Sequence, residues 1–217
     1  MNKSLIFNYI SLSYYNDKLT KNLIVIILGS LALALSARIK IDIGPVPVTL
    51  QTLVLLVFSM SVGWKLSIST FLTYLFYGSL GLPFFANPPY GGLLYLAGPS
   101  GGYLFGMLIA SFILGYLAEK NFEKNYFKSL TAIFLGTFII FFFGLIWLTY
   151  WLSIQPEGTV NFLCTRENIE CSFSNWNTSQ SFNLALILGL YKFLFTEPIK
   201  ILLAATILPI IWKSINK

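Results

Sequence analysis

From residue 130 to residue 152 the chain runs without one charged side chain, through three successive phenylalanines at 141 to 143. As a helix such a stretch rises about 1.5 Å per residue, enough to cross the roughly 30 Å hydrocarbon core of a bilayer. Comparable runs recur along the sequence, and with 56% hydrophobic residues against 10% charged there are too few polar groups to coat a soluble globule. The runs lack the ten-residue alternation of a barrel, and helices satisfy every backbone group internally. The 217 residues leave room for about six crossings with short connections. The reading is an all-α integral membrane protein, a six-transmembrane-helix bundle.

The expected organisation is an interfacial, cytoplasmic segment over 1–21, a membrane domain over 22–212 and a tail over 213–217. Spans are placed at residues 22–37, 48–62, 66–80, 103–118, 130–152 and 184–209. The first connection carries Arg38, Lys40, Asp42, Pro45 and Pro47 and is not helix interior. Residues 81–102 hold six of the 16 glycines and four of the nine prolines but no charge, so they read as a loop folded back on apolar surroundings. Residues 153–181 are polar and read as an external loop inserted before the last span. Its Cys164 and Cys171 either bridge or stay free, and are too few for a four-ligand metal site. Six spans put nine lysines on the side of the termini and three basic residues opposite, which predicts cytoplasmic N- and C-termini. The net charge of +6 therefore reports topology, not nucleic acid as a partner.

Within the last span, Glu197 and Lys200 interrupt the apolar run three residues apart, with Pro198 beside the acid. A charge at membrane depth costs about 2.5–3.5 kcal/mol on insertion scales, so it calls for a partner or a task. On a helix the two share a face, either as a self-paired bridge or as a polar site. Histidine is absent, and no Walker glycine loop, triad, metal or cofactor constellation is present. What remains is a pocket of few polar groups among aromatic walls, with Gln51, Asn87, Tyr90, Tyr103 and the Glu197/Lys200 face as candidates. Ser30 and Ala34, and also Ala32 and Ser36, form small-residue pairs that let another helix approach closely, inside this bundle or on a partner.

Three strings carry a resemblance: Gly44-Pro45-Val46-Pro47-Val48-Thr49-Leu50-Gln51-Thr52-Leu53, then Gly81-Leu82-Pro83-Phe84-Phe85-Ala86-Asn87, then Gly98-Pro99-Ser100-Gly101-Gly102-Tyr103. In order and spacing they closely resemble the signature of the BioY family, the biotin-specific S-components of energy-coupling-factor (ECF) transporters. The resemblance covers residues 25–120 well and the last span more loosely, where the family's acid and following lysine fall on Glu197 and Lys200. The family acid is usually Asp; here Glu197 is followed by Pro198.

This resemblance implies biotin capture from outside by a non-enzymatic, multi-pass protein of the bacterial cytoplasmic membrane. Its implied partners are an ECF transmembrane coupling protein and two ATP-binding cassette ATPases. Glu197 would accept from a ureido N–H, Lys200 would donate to the ureido oxygen or keep Glu197 ionised, and Asn87 would complete the ring contact, with Gln51 in second rank. The thiophane ring and valeryl chain would lie against Tyr90 or Tyr103, and the ligand carboxylate would meet Lys192, Arg38 or Lys40. Ser30 and Ala34 would form the docking face. Other readings left open are an S-component for another vitamin, a proton-coupled carrier with Glu197 as the protonating group, and a membrane enzyme or assembly subunit.

Overall fold

A computed structural model describes residues 18–215 apart from 43, 167, 170 and 172–177. The interfacial segment expected over 1–21 thus lies outside the described residues, save its last four, which already belong to a helix. The described chain forms α1 (Lys18–Arg38), a two-stranded hairpin β1 (Lys40–Ile41) and β2 (Val48–Thr49), α2 (Gln51–Val62), α3 (Trp64–Ser79), one helical turn Leu93–Leu96, α4 (Gly101–Glu119), α5 (Tyr126–Ser153), α6 (Glu157–Arg166), α7 (Thr178–Gly189) and α8 (Glu197–Ile215). Among these, α1, α4 and α5 are each long and apolar enough to cross a bilayer, and α7 and α8 reach that length and hydropathy only together, across a 46° bend. The intervening α2 and α3, of 12 and 16 residues, are shorter than a full span.

The α4–α5 pair is the most extensive contact of the bundle; α1 lies on α3, and α2 is held between α1, α4 and α8. Gly63, at φ 85°, turns the chain between α2 and α3 in a conformation that a side chain would strain. Gly115 of α4 lets that turn settle against it, since a Cβ there would strike the backbone of Trp64. The start of α5 is fixed by Asn125, whose side chain accepts from the amides of Phe127 and Lys128 at 3.0 and 3.4 Å.

In three places the structure differs from the sequence reading. The last span is not continuous: the chain leaves α7 after Gly189, passes a 3₁₀ turn at Tyr191–Phe193 and restarts at Glu197. Pro198 therefore occupies the first turn of α8, where its missing N–H has no helical partner to lose, and it starts a helix instead of kinking one. The segment 153–181 is not wholly loop, because it contains α6 and the beginning of α7, with Cys164 and Cys171 joined in a disulfide. Ser30 and Ala34, expected as a docking face, lie on the inner side of α1. They are buried at 1% and 7% exposure, and Gly29 beside them abuts Phe58 of α2 and Thr70 of α3, so the small side chains serve packing within the bundle. Of the second pair, Ser36 is also buried while Ala32 faces outward with Leu28, Leu31 and Leu35.

Between α4 and α5 the short turn Phe122–Lys124 plugs one end of the bundle, touching α2, α4, α5 and α8. It buries Glu123 completely, with neither carboxylate oxygen partnered among the described residues. Burial pushes the Glu123 carboxyl up to about 7.

Candidate substrate-binding site

The head of α2 is where the sequence strings converge. The hairpin pairs Lys40 with Thr49 and Ile41 with Val48, and Leu50 N donates to Ile39 O at 2.9 Å, so Thr49, Gln51 and Thr52 are delivered to the bundle interior in a fixed turn. There they meet the start of α8. Lys200 Nζ donates to Glu197 Oε1 at 2.6 Å, to the Thr49 carbonyl at 2.7 Å and to Thr52 Oγ1 at 3.0 Å, while the Thr52 hydroxyl donates to Glu197 Oε1 at 3.5 Å. All three ammonium N–H groups are thereby used inside the protein. Glu197 Oε2 is also buried but has no partner among the described residues. The pair is thus a neutral unit with one acceptor left over.

Against the other side of this turn lies a narrow cavity enclosing about 470 Å³, its open side included. Gln51, Thr52, Tyr74, Tyr95, Tyr103 and Phe193 line it, with Met107 and Phe141 among its apolar walls. Tyr103 is set by glycine: a Cβ on Gly144 or Gly189 would strike its ring or hydroxyl, and in the space so left its hydroxyl donates to the Gly189 carbonyl at 2.9 Å. Its ring stacks on Phe193 at 6.2 Å and meets Phe141 edge-on at 5.9 Å. Tyr95, on the single helical turn, stacks on Phe85 at 4.5 Å, and burial pushes its phenol above the ordinary range, so it stays a protonated donor.

The outer rim belongs to the uncharged loop. Phe85 N donates to Tyr90 O and Gly92 N to Gly78 O, folding residues 81–92 back onto α3 as the composition predicts. Lys40 Nζ donates to Asn87 Oδ1 and pairs with Asp42 at 2.9 Å; Arg38 donates to Pro83 O at 2.9 Å and sits 4.1 Å above the Tyr90 ring. The hairpin is thereby tied to the loop at its outer edge and to Lys200 at its base. Of the predicted residues, Gln51 and Tyr103 line the cavity, and Glu197 and Lys200 stand directly behind its Thr49–Thr52 wall. Asn87 and Tyr90 belong to the rim, and Lys192 reaches the hairpin, its ammonium against Gly44. Thr52, Tyr74, Tyr95 and Phe193 are additions of the structure. Thr52 was within reach of sequence reasoning, one position after Gln51 at the head of a short apolar helix.

A larger apolar groove lies between α3, α4 and α5, lined by Leu75, Phe105, Leu108, Ile146 and Trp147. The Trp147 indole N–H is spent on the Gly98 carbonyl at 2.8 Å, and the walls of this groove are mostly apolar.

A bundle of long apolar helices, with a small aromatic cavity backed by a neutralised acid–lysine pair, has the architecture of a multi-pass membrane protein. The profile of the BioY family matches residues 4–217, and the chain belongs to that family. It is 36% identical over 132 residues to the biotin transporter BioY of Thermotoga maritima, covering 60% of this chain and 76% of that protein. It is 30% identical over 185 residues to a probable biotin transporter BioY of Rickettsia prowazekii, covering 78% and 92%. The fold matches the crystal structure of the S-component for biotin from an ECF-type ABC transporter, with a TM-score of 0.65 at 23% identity over 92% of this chain and 94% of that one. The relatives are transporters, and the chain is a transport component, not an enzyme.

Proposed function

We propose that this protein is the biotin-capturing S-component of an ECF-type transporter in a bacterial cytoplasmic membrane. The observation that carries the reading is the narrow, open-sided cavity at the head of α2, set against the Glu197–Lys200 pair in a chain of the BioY family. The α7–α8 pair acts as one span, and with α1 to α5 makes six; the nine-to-three division of basic residues sets both termini in the cytoplasm and opens the cavity outward. Glu197 Oε2 accepts from a ureido N–H past Thr52, and Lys200, with its donors already spent, holds Glu197 in place. Asn87 completes the ring contact when Lys40 releases it. Tyr103 and Tyr95 flank the ring system, and the ligand carboxylate lies toward the cations of the rim, Arg38, Lys40 and Lys192. The tied hairpin is the cover that must loosen for entry.

Release inside depends on the ECF coupling protein and its two ATPases. Uptake of labelled biotin by cells expressing this chain with and without those partners tests the reading. Uptake that requires functional ATPases and survives an uncoupler supports it. Uptake that collapses with the uncoupler and needs no ATPase identifies a proton-coupled carrier, with the unpartnered Glu197 oxygen as the protonating group.

A further inference from the structure

Two buried donors in the cavity wall have no partner among the described residues: Gln51 Nε2 and the Tyr74 hydroxyl. Their residues are 3% and 0% exposed, and both line the cavity. They come from the first turn of α2 and the middle of α3, and among the described residues no well-formed hydrogen bond joins them. A buried donor left unmade is costly, and native interiors retain very few. Tyr74 has little freedom to relieve the cost by moving. Its ring is clamped between Phe71 at 5.5 Å, Phe84 at 6.0 Å and Phe85 at 5.7 Å. Tyr103, by contrast, has its hydroxyl occupied by Gly189 and offers the cavity only its ring.

An amide N–H and a phenol O–H converging from two helices, neither charged, match one uncharged acceptor with two lone pairs. We propose that Gln51 and Tyr74 together grip a neutral carbonyl oxygen of the ligand, the oxygen of a urea or amide, and that Tyr74 is a specificity-determining residue. This rests on the reading of the cavity as a biotin site. It divides the recognition by charge: the carboxylate faces the cationic rim, the N–H edge faces Glu197, and the carbonyl faces the two neutral donors.

The experiment compares biotin, its thiourea analogue, in which sulfur replaces the carbonyl oxygen, and desthiobiotin, which keeps the urea and lacks the ring sulfur. Dissociation constants are measured on purified wild-type protein, Tyr74→Phe and Gln51→Met. Wild type is expected to prefer urea over thiourea. Tyr74→Phe should weaken biotin and desthiobiotin alike by about tenfold and the thiourea much less, compressing the preference. The ligand-free Tyr74→Phe protein should melt no lower than wild type, because the deleted hydroxyl closes no well-formed hydrogen bond among the described residues; a purely structural tyrosine would melt lower. Equal weakening of all three ligands, unchanged biotin affinity, or a clear loss of ligand-free stability would each overturn the assignment. Failure of wild type to bind biotin would overturn it together with the functional reading, a result distinguishable from the others by the wild-type column alone.

Discussion

Replacing Lys200 by Met removes an ammonium and keeps most of its volume, so the consequence is electrostatic. Three charge-assisted bonds vanish, to Glu197 Oε1, the Thr49 carbonyl and Thr52 Oγ1. At about 1.5 kcal/mol each they sum to about 4.5 kcal/mol, within the roughly 3–5 kcal/mol that breaking a buried ion pair from one side costs. Glu197, 5% exposed and with Oε2 already unpartnered, becomes a buried charge with only the long Thr52 contact. The double variant Glu197→Gln/Lys200→Met removes that orphaned charge and should regain about 2 kcal/mol or more of the single-variant loss. Reversible unfolding in mixed micelles, followed for wild type, both single variants and the double, gives the coupling directly. A Lys200→Met protein within about 1 kcal/mol of wild type, or a double variant as unstable as the sum of the singles, would refute the view that the pair is one neutral buried unit.

Other consequences are as concrete. Ala34→Trp overfills an interior contact, so folded yield and biotin binding should fall together; intact binding with impaired transport would instead return Ala34 to an outer docking face. Gly144→Ala should displace the Tyr103 ring into the cavity, costing about 1–3 kcal/mol of stability and weakening biotin binding, as read by melting and titration. Glu123→Gln mimics the protonated acid. The wild-type penalty begins as pH rises through 4.5, where the unfolded chain ionises, and is complete above about 7, so the variant should gain melting temperature over wild type at pH 8 and lose the advantage near pH 4.

Hydropathy was enough to locate the long helices α1, α4 and α5, because long uncharged runs have few alternatives in a bilayer. It was blind to the break before Glu197: residues 190–196 are as apolar as their flanks, and composition does not register where a backbone leaves one helix and starts another. Pro198 did not betray the restart either, since a proline in the first turn and one in the interior look alike in sequence. The ion pair was legible from its three-residue spacing. Its third and fourth members, the Thr49 carbonyl and Thr52, were not, because they come from about 150 residues away in the chain. Small-residue spacing at Ser30 and Ala34 announced a close helix contact without saying on which side. Tyr74 is one of 12 tyrosines, and what distinguishes it, a buried hydroxyl without a partner among the described residues, exists only in the folded structure.

The most direct measurement is equilibrium binding of labelled biotin to the purified chain, without any partner protein, alongside Glu197→Gln. Saturable one-to-one binding by wild type, weakened about tenfold or more in the variant, is the expected result. Absence of measurable binding by the unmodified protein, or full affinity in the variant, would contradict a biotin site built on this cavity and its buried acid.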